Sequence, residues 1–241
     1  MFLARVTRSS FLRSLPAAML LPLAGLVWFA SGPAGATAVP LPDPMADQQN
    51  APDGTQVAVL AGGCFWGVQA VFQHTKGVQL ALSGYSGGTK PVPTYEEVTT
   101  GRTGHAESVQ IKFNPREITY GQILKIYFSV AHDPTQLNRQ GPDVGTHYRS
   151  AIFYTNNDQK RVAEAYIAQL GQAGAFKAPI VTQVNQLTAF YPAEAYHQDY
   201  AIKHPTQPYI AIHDLPKVEN LKQLFPAFYR SNPVTVASAI P

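Results

Sequence analysis

The string Gly62-Gly63-Cys64-Phe65-Trp66-Gly67 contains the only cysteine of the chain. A short apolar run, Val57 to Ala61, precedes the glycines, and Cys64 to Gln73 carries helical spacing. A strand, a glycine turn and a cysteine in the first turn of a helix set the sulfur against unpaired backbone N–H groups and the positive end of the helix dipole. Such a setting is expected to bring a thiol pKa down from about 8.5 and make Cys64 a nucleophile. Phe65 and Trp66 beside it suit a substrate with an apolar part to grip. The other reading of an isolated cysteine is a small buried apolar side chain. A single cysteine allows no intramolecular disulfide and no four-cysteine zinc site.

The Gly-Cys-Phe-Trp-Gly string resembles the signature of the peptide methionine sulfoxide reductase A family. The resemblance runs on in order through Gly84-Tyr85-Ser86-Gly87-Gly88, Pro93-Thr94-Tyr95, Gly104-His105-Ala106-Glu107 and His132-Asp133-Pro134-Thr135. It continues with Arg139-Gln140-Gly141-Pro142-Asp143, Gly145-Thr146-His147-Tyr148-Arg149-Ser150 and Phe190-Tyr191-Pro192-Ala193-Glu194, then His197-Gln198, and covers roughly residues 57–230. It implies reduction of methionine S-sulfoxide, free or protein-bound, in the repair of oxidised proteins. Cys64 attacks the sulfoxide sulfur, Glu107 protonates the oxygen, and Cys64 is left as a sulfenic acid. A carboxyl held in an apolar pocket beside a thiolate has its pKa raised, as such an acid needs. Tyr95 and Tyr148 match positions whose hydroxyls bond the sulfoxide oxygen. Phe65 and Trp66 match the pocket for the substrate methyl, and Asp143 a position near the nucleophile with an orienting role. Glu194 and His197 fall at supporting positions.

The resemblance implies no metal and no bound cofactor, and its partners are oxidised proteins or peptides. Many members carry further cysteines near the C-terminus; this chain has none, so regeneration falls to an external thiol such as thioredoxin, glutaredoxin or glutathione. The expected state is a monomer. A cysteine hydrolase or acyl transferase would use the same nucleophile with His105, His147 or His197 as base. A binding module with an inert cysteine is the third reading.

These residues need a scaffold, and the chain's 241 residues fit one domain with appendages. Glu107 to Phe113 alternates, with Val109, Ile111 and Phe113 on one face, as in a half-buried strand. Val78 to Tyr85 and Ser150 to Tyr154 are further strands. Thr119 with Gln122 forms a capping box before a helix, and Asn156-Asn157-Asp158 opens another. Helices and strands are mixed, with long connections at 86–106 and 132–149. The expected class is α+β: a two-layer sandwich of a mixed sheet with packed helices and a ferredoxin-like core.

Arg5, Arg8 and Arg13, an apolar run from Leu15 to Ala30 and Ala36-Thr37-Ala38 read as a signal peptide over residues 1–38. Residues 39–55 read as a flexible tether, 56–230 as the catalytic domain and 231–241 as a tail. The expected location is outside the cytoplasm, in a bacterial periplasm, with no membrane contact once the leader is cleaved. The chain has 18 basic and 15 acidic residues, and three of the arginines lie in the leader. The rest is formally neutral, which gives no reason to expect nucleic acid. Methionine occurs only at positions 1, 19 and 45, outside the catalytic segment.

Overall fold

A computed structural model describes residues 1–2, 38–48 and 54–239. The chain divides into Met1–Ser31, of which only Met1 and Phe2 are described, and Gly32–Pro241, which holds everything below. The predicted leader therefore lies almost wholly outside the described residues.

Strand β1 (Gln56–Gly62) leads through Gly63 and Cys64 into helix α1 (Phe65–Gln73), which returns to β2 (Val78–Ser86). A short helix α2 (Tyr95–Thr99) precedes β3 (Ala106–Phe113), and α3 (Tyr120–Ile126) runs on as a π-helical turn, Tyr127–Ala131. The hairpin β4 (Arg139–Gln140) and β5 (Asp143–Val144) is followed by a 3-10 turn at Thr146–Tyr148, then β6 (Ser150–Tyr154) and α4 (Asn157–Gln172). Next come β7 (Gln183–Gln186), β8 (Phe190–Pro192) and α5 (Tyr200–Lys203). The π-helical turn Ile210–Asp214 feeds α6 (Leu215–Leu224), and α7 (Val236–Ala239) is the last element described.

The six strands order as β7-β6-β1-β3-β2-β8, with β6 and β7 parallel and every other pair antiparallel. The central four, β6-β1-β3-β2, joined by α1 and α3, have the β-α-β-β-α-β connectivity of a ferredoxin-like core. The mixed α+β sheet is thus as expected. Alternation along β1 sends Ala58 and Leu60 into the main core against α1, α3 and α4, and Val59 and Ala61 into a smaller cluster with Phe153 on the other face. The predicted capping box and the predicted helix start both hold: Thr119 and Gln122 exchange hydrogen bonds, and the Asn156 side chain accepts from Gln159 N–H.

One expectation is corrected. The segment read as a flexible tether is laid against the domain over residues 38–48. Leu41 is 6% exposed in the core, Val39 N–H donates to Ser129 O, and Tyr166 Oη donates to Pro42 O. Asp47 accepts from Thr119 Oγ1 and from Gly121 N–H, and Lys125 pairs with Asp43. The apolar and acidic residues of this stretch meet complementary groups on α3 and α4, which no local periodicity announces. The tail is likewise attached, since Val234 N–H donates to Gln73 O and Val236 N–H to Asp199 Oδ1.

Candidate active site

Cys64 is the N-cap residue of α1 and makes no capping bond with its side chain. Gly63 before it has φ +86°, and a Cβ there would stand 2.4 Å from Cβ of Gln140, so only glycine fits this turn. In the first helical turn Phe65 N–H donates to Glu107 Oε2 at 2.9 Å, and the Trp66 amide is near enough to the cysteine sulfur to favour its charged form. The helix end therefore holds both the thiol and the carboxyl that the sequence singled out.

Burial decides the charge state of both. Cys64 is 7% exposed; burial pushes its thiol well above the ordinary range, Asp214 and Glu107 push it further, and Lys217 and the Trp66 amide only partly offset them. The expected lowering by the helix end is thus overturned for the substrate-free protein, because loss of water outweighs one or two oriented amides. Glu107, 2% exposed, is raised to about 8, chiefly by burial and then by Asp143 and Asp214, against the Phe65 amide. At neutral pH it holds its proton, as an acid catalyst should.

Tyr95, the first residue of α2, is held through its backbone N–H by Glu194 Oε1 at 2.8 Å, while Glu194 Oε2 accepts from Tyr85 Oη at 2.8 Å. Its hydroxyl is raised to about 12 by burial, Glu107 and Cys64, and shares a hydrogen bond with Tyr148. The Tyr148 hydroxyl is also raised, by burial first and then by Glu107, Tyr95, Asp143 and Cys64. Both phenols stay protonated and can donate. Phe65 is a core residue, 1% exposed, packed between Tyr85 and His197 with ring centroids at 5.9 and 4.9 Å. Trp66 is half-buried and stacks on Tyr200 at 3.9 Å, with its indole N–H 3.2 Å from His197 Nδ1.

Asp143 accepts a short hydrogen bond from Tyr209 Oη and lies with Cys64 on a cavity of about 470 Å³. That cavity is walled by Gln140, Lys177, Tyr209, His213 and Lys217 among others, and none of Phe65, Trp66, Tyr95, Glu107 and Tyr148 borders it. Cys64 thus borders this recess, while the aromatic and acidic groups lie outside its walls. Among the described residues no group of three or more His, Cys, Asp or Glu converges so as to hold a metal ion.

A family model for peptide methionine sulfoxide reductases matches residues 56–228. The chain belongs to that family. Peptide methionine sulfoxide reductase MsrA 2 of Mesorhizobium japonicum is 61% identical over 193 residues, 80% of this chain and 98% of that one. The MsrA of Thermus thermophilus is 49% identical over 175 residues, covering 73% of this chain and 98% of its own. Among solved structures, methionine sulfoxide reductase A of Corynebacterium diphtheriae is similar with TM-score 0.56 and 34% identity over 73% of this chain and 88% of that chain. Mxr1 from Saccharomyces cerevisiae in reduced form is similar with TM-score 0.59 and 32% identity over 66% and 91%.

In this reductase-family chain, sequence reasoning missed Tyr209, Asp214 and Lys217, all of which act on Cys64 or its neighbours. The one available signal was Asp214 and Lys217 three residues apart around Pro216, an opposite-charge pair at a helix start. Two of the three histidines that an acyl transferase would need are engaged elsewhere, and His147 Nδ1 is buried without a hydrogen-bond partner. His105 bonds Gly88 N–H and Lys90 O, His197 faces the Trp66 indole, and no histidine is among the charged groups acting on Cys64.

Proposed function

We propose that the chain reduces the S epimer of methionine sulfoxide with Cys64 as nucleophile, Glu107 as acid, and Tyr95 and Tyr148 as donors to the sulfoxide oxygen. The observation that carries this reading is the buried Glu107 carboxyl, bound to Phe65 N–H one residue from the nucleophile, where burial favours its protonated form. As the cysteine sulfur bonds to the sulfoxide sulfur, Glu107 protonates the oxygen and then regains the proton leaving the thiol. The S–O bond of the substrate breaks, an S–O bond forms on Cys64, and thioether and sulfenic acid result, with Glu107 as it began. Trp66 with Tyr200 receives the methyl end of the substrate, and Asp143, fixed by Tyr209, orients its polar end.

The sulfenic acid is returned to thiol by two external thiol equivalents, the first forming a mixed disulfide and releasing water. The recess that Cys64 and Asp143 border gives thioredoxin, glutaredoxin or glutathione a route to the sulfur once methionine has left. The leader over residues 1–38 exports the chain to a bacterial periplasm, where it acts as a monomer on oxidised proteins.

The test is a single turnover without added thiol. One methionine per enzyme should form from the S epimer, with a dimedone-reactive Cys64, and none from the R epimer. Methionine formation by Cys64→Ser would end the proposal.

A further inference from the structure

A buried ion pair lies one helical turn along α1 from the nucleophile. Lys217 Nζ sits 3.1 Å from Asp214 Oδ1, and the side chains are 6% and 0% exposed. Asp214 Oδ2 is buried without a hydrogen-bond partner. The pair reaches this depth only because α1 is notched at Gly67. A Cβ there would lie 2.1 Å from Asp214 Oδ1 and 2.7 Å from Lys217 Nζ. The π-helical turn Ile210–Asp214 and Pro216 at the start of α6 aim both side chains into the notch. Lys217 also borders the recess that Cys64 borders. A buried ion pair is costly to desolvate and seldom kept for stability alone.

The groups around Cys64 are mostly acidic or neutral. Glu107 faces it from β3, and the phenols of Tyr95, Tyr148 and Tyr209 stand within electrostatic reach. His132, Asp133, Asp143 and His213 border the same recess, with exposed Lys177 at its wall. Asp214 and Glu107 oppose charge on the sulfur, and Lys217 is the cation that favours it. We propose that Lys217, seated by Asp214 in the notch left by Gly67, is the cation against which the Cys64 thiolate forms. Lys217 is then a charge-stabilising residue of the reaction, and Asp214 and Gly67 are positioning residues. The inference rests on Cys64 being the nucleophile of the proposed reductase.

Alkylation of Cys64 by iodoacetamide, followed against pH, reads the thiolate without any turnover. In Lys217→Met and in Lys217→Gln, which keeps a donor for Asp214, the alkylation profile should move to higher pH. The rate at a fixed pH below the inflection falls about tenfold for each unit of that shift. Lys217→Arg should restore the profile, and Gly67→Ala, with both charged residues present but displaced, should move it as Lys217→Gln does. Lys217→Gln keeps a donor for the Asp214 carboxylate, so loss of the cation need not unfold the protein. If Lys217→Gln is folded and alkylates along the wild-type profile, the inference is overturned even where its reductase activity falls. If wild-type enzyme reduces neither epimer while the alkylation shifts appear, the reductase reading fails and the assignment of Lys217 stands.

Discussion

Glu107 shows how one burial serves catalysis and costs stability. Its carboxyl is raised to about 8 in the fold, against about 4.3 in an unfolded chain. A raised folded pKa contributes stability below the unfolded value, and that contribution is lost as pH rises through about 8. Glu107→Gln keeps an acceptor for Phe65 N–H but removes the titration. Its stability relative to wild type should grow between pH 4.5 and 8 and stay level above, with a ceiling on the order of 5 kcal/mol. Its methionine-forming rate should fall by about 10²–10⁴. Urea unfolding at pH 5 and pH 8.5 checks the first part, and a stability difference that ignores pH would contradict it.

The two phenols make a second prediction at this scale. Because Tyr95 and Tyr148 share a hydrogen bond and are proposed as donors to one oxygen, each Tyr→Phe change should slow methionine formation by about 10–10³-fold. The double change should cost less than the product of the two, as groups that act together do. Strict multiplication in single-turnover rates would show that they work separately.

Among the elements, the turn before α1 matters most, because it sets the sulfur, the acid and the notch together. Gly63→Ala forces a left-handed φ on alanine and drives its Cβ into Gln140. Gln140 holds Asp133 through both its amide oxygen and its amide nitrogen, so the loop bordering the recess should shift too. The expected result is a loss of about 1–3 kcal/mol in stability, measured by denaturant, with slower alkylation of Cys64. Unchanged values for both would mean that the turn relaxes freely.

What the sequence made legible follows from length and period. β1, α1, β2, β3, α3, β6 and α4 each carry enough apolar residues at period 2 or 3.6 to be read. β4 with β5, β7 and β8 have two to four residues each and are defined by partners far along the chain. α6 was obscured because Pro216 reads as a breaker, though it stands at the helix start where its missing N–H costs nothing. The site divides in the same way. Cys64, Glu107, Tyr95, Tyr148 and Asp143 lie in motifs, whereas Lys217 and Tyr209 act only because α6 and the turn before it fold back on α1. The direction of the Cys64 shift was missed for a related reason, since a helix end is local but burial is a property of the whole packing.

At the scale of the molecule, the segment 38–48 shows that the functional body begins well before β1. Leu41 enters the main core, Asp47 bonds the N-terminal turn of α3, and Arg161 on α4 donates to Asp47 O at 3.0 Å. Val39 borders the same recess as Cys64 and Lys217. The segment thus ties α3 and α4 together and closes one side of the space beside the nucleophile. Leu41→Ala should cost about 2–3 kcal/mol, as a buried leucine does when a cavity is left. A chain beginning at residue 54 should lose at least as much and turn over external thiols with altered dependence on thiol concentration, because its recess is open on that side. Its first half-reaction, which uses Glu107, Tyr95 and Tyr148 outside the recess walls, should change less at temperatures where it stays folded. Comparing chains that begin at 39 and at 54, by thermal unfolding and by the rates of both half-reactions, separates a structural strap from a free tether. Equal melting temperatures would mean that the contacts of residues 38–48 add nothing to the stability of the fold.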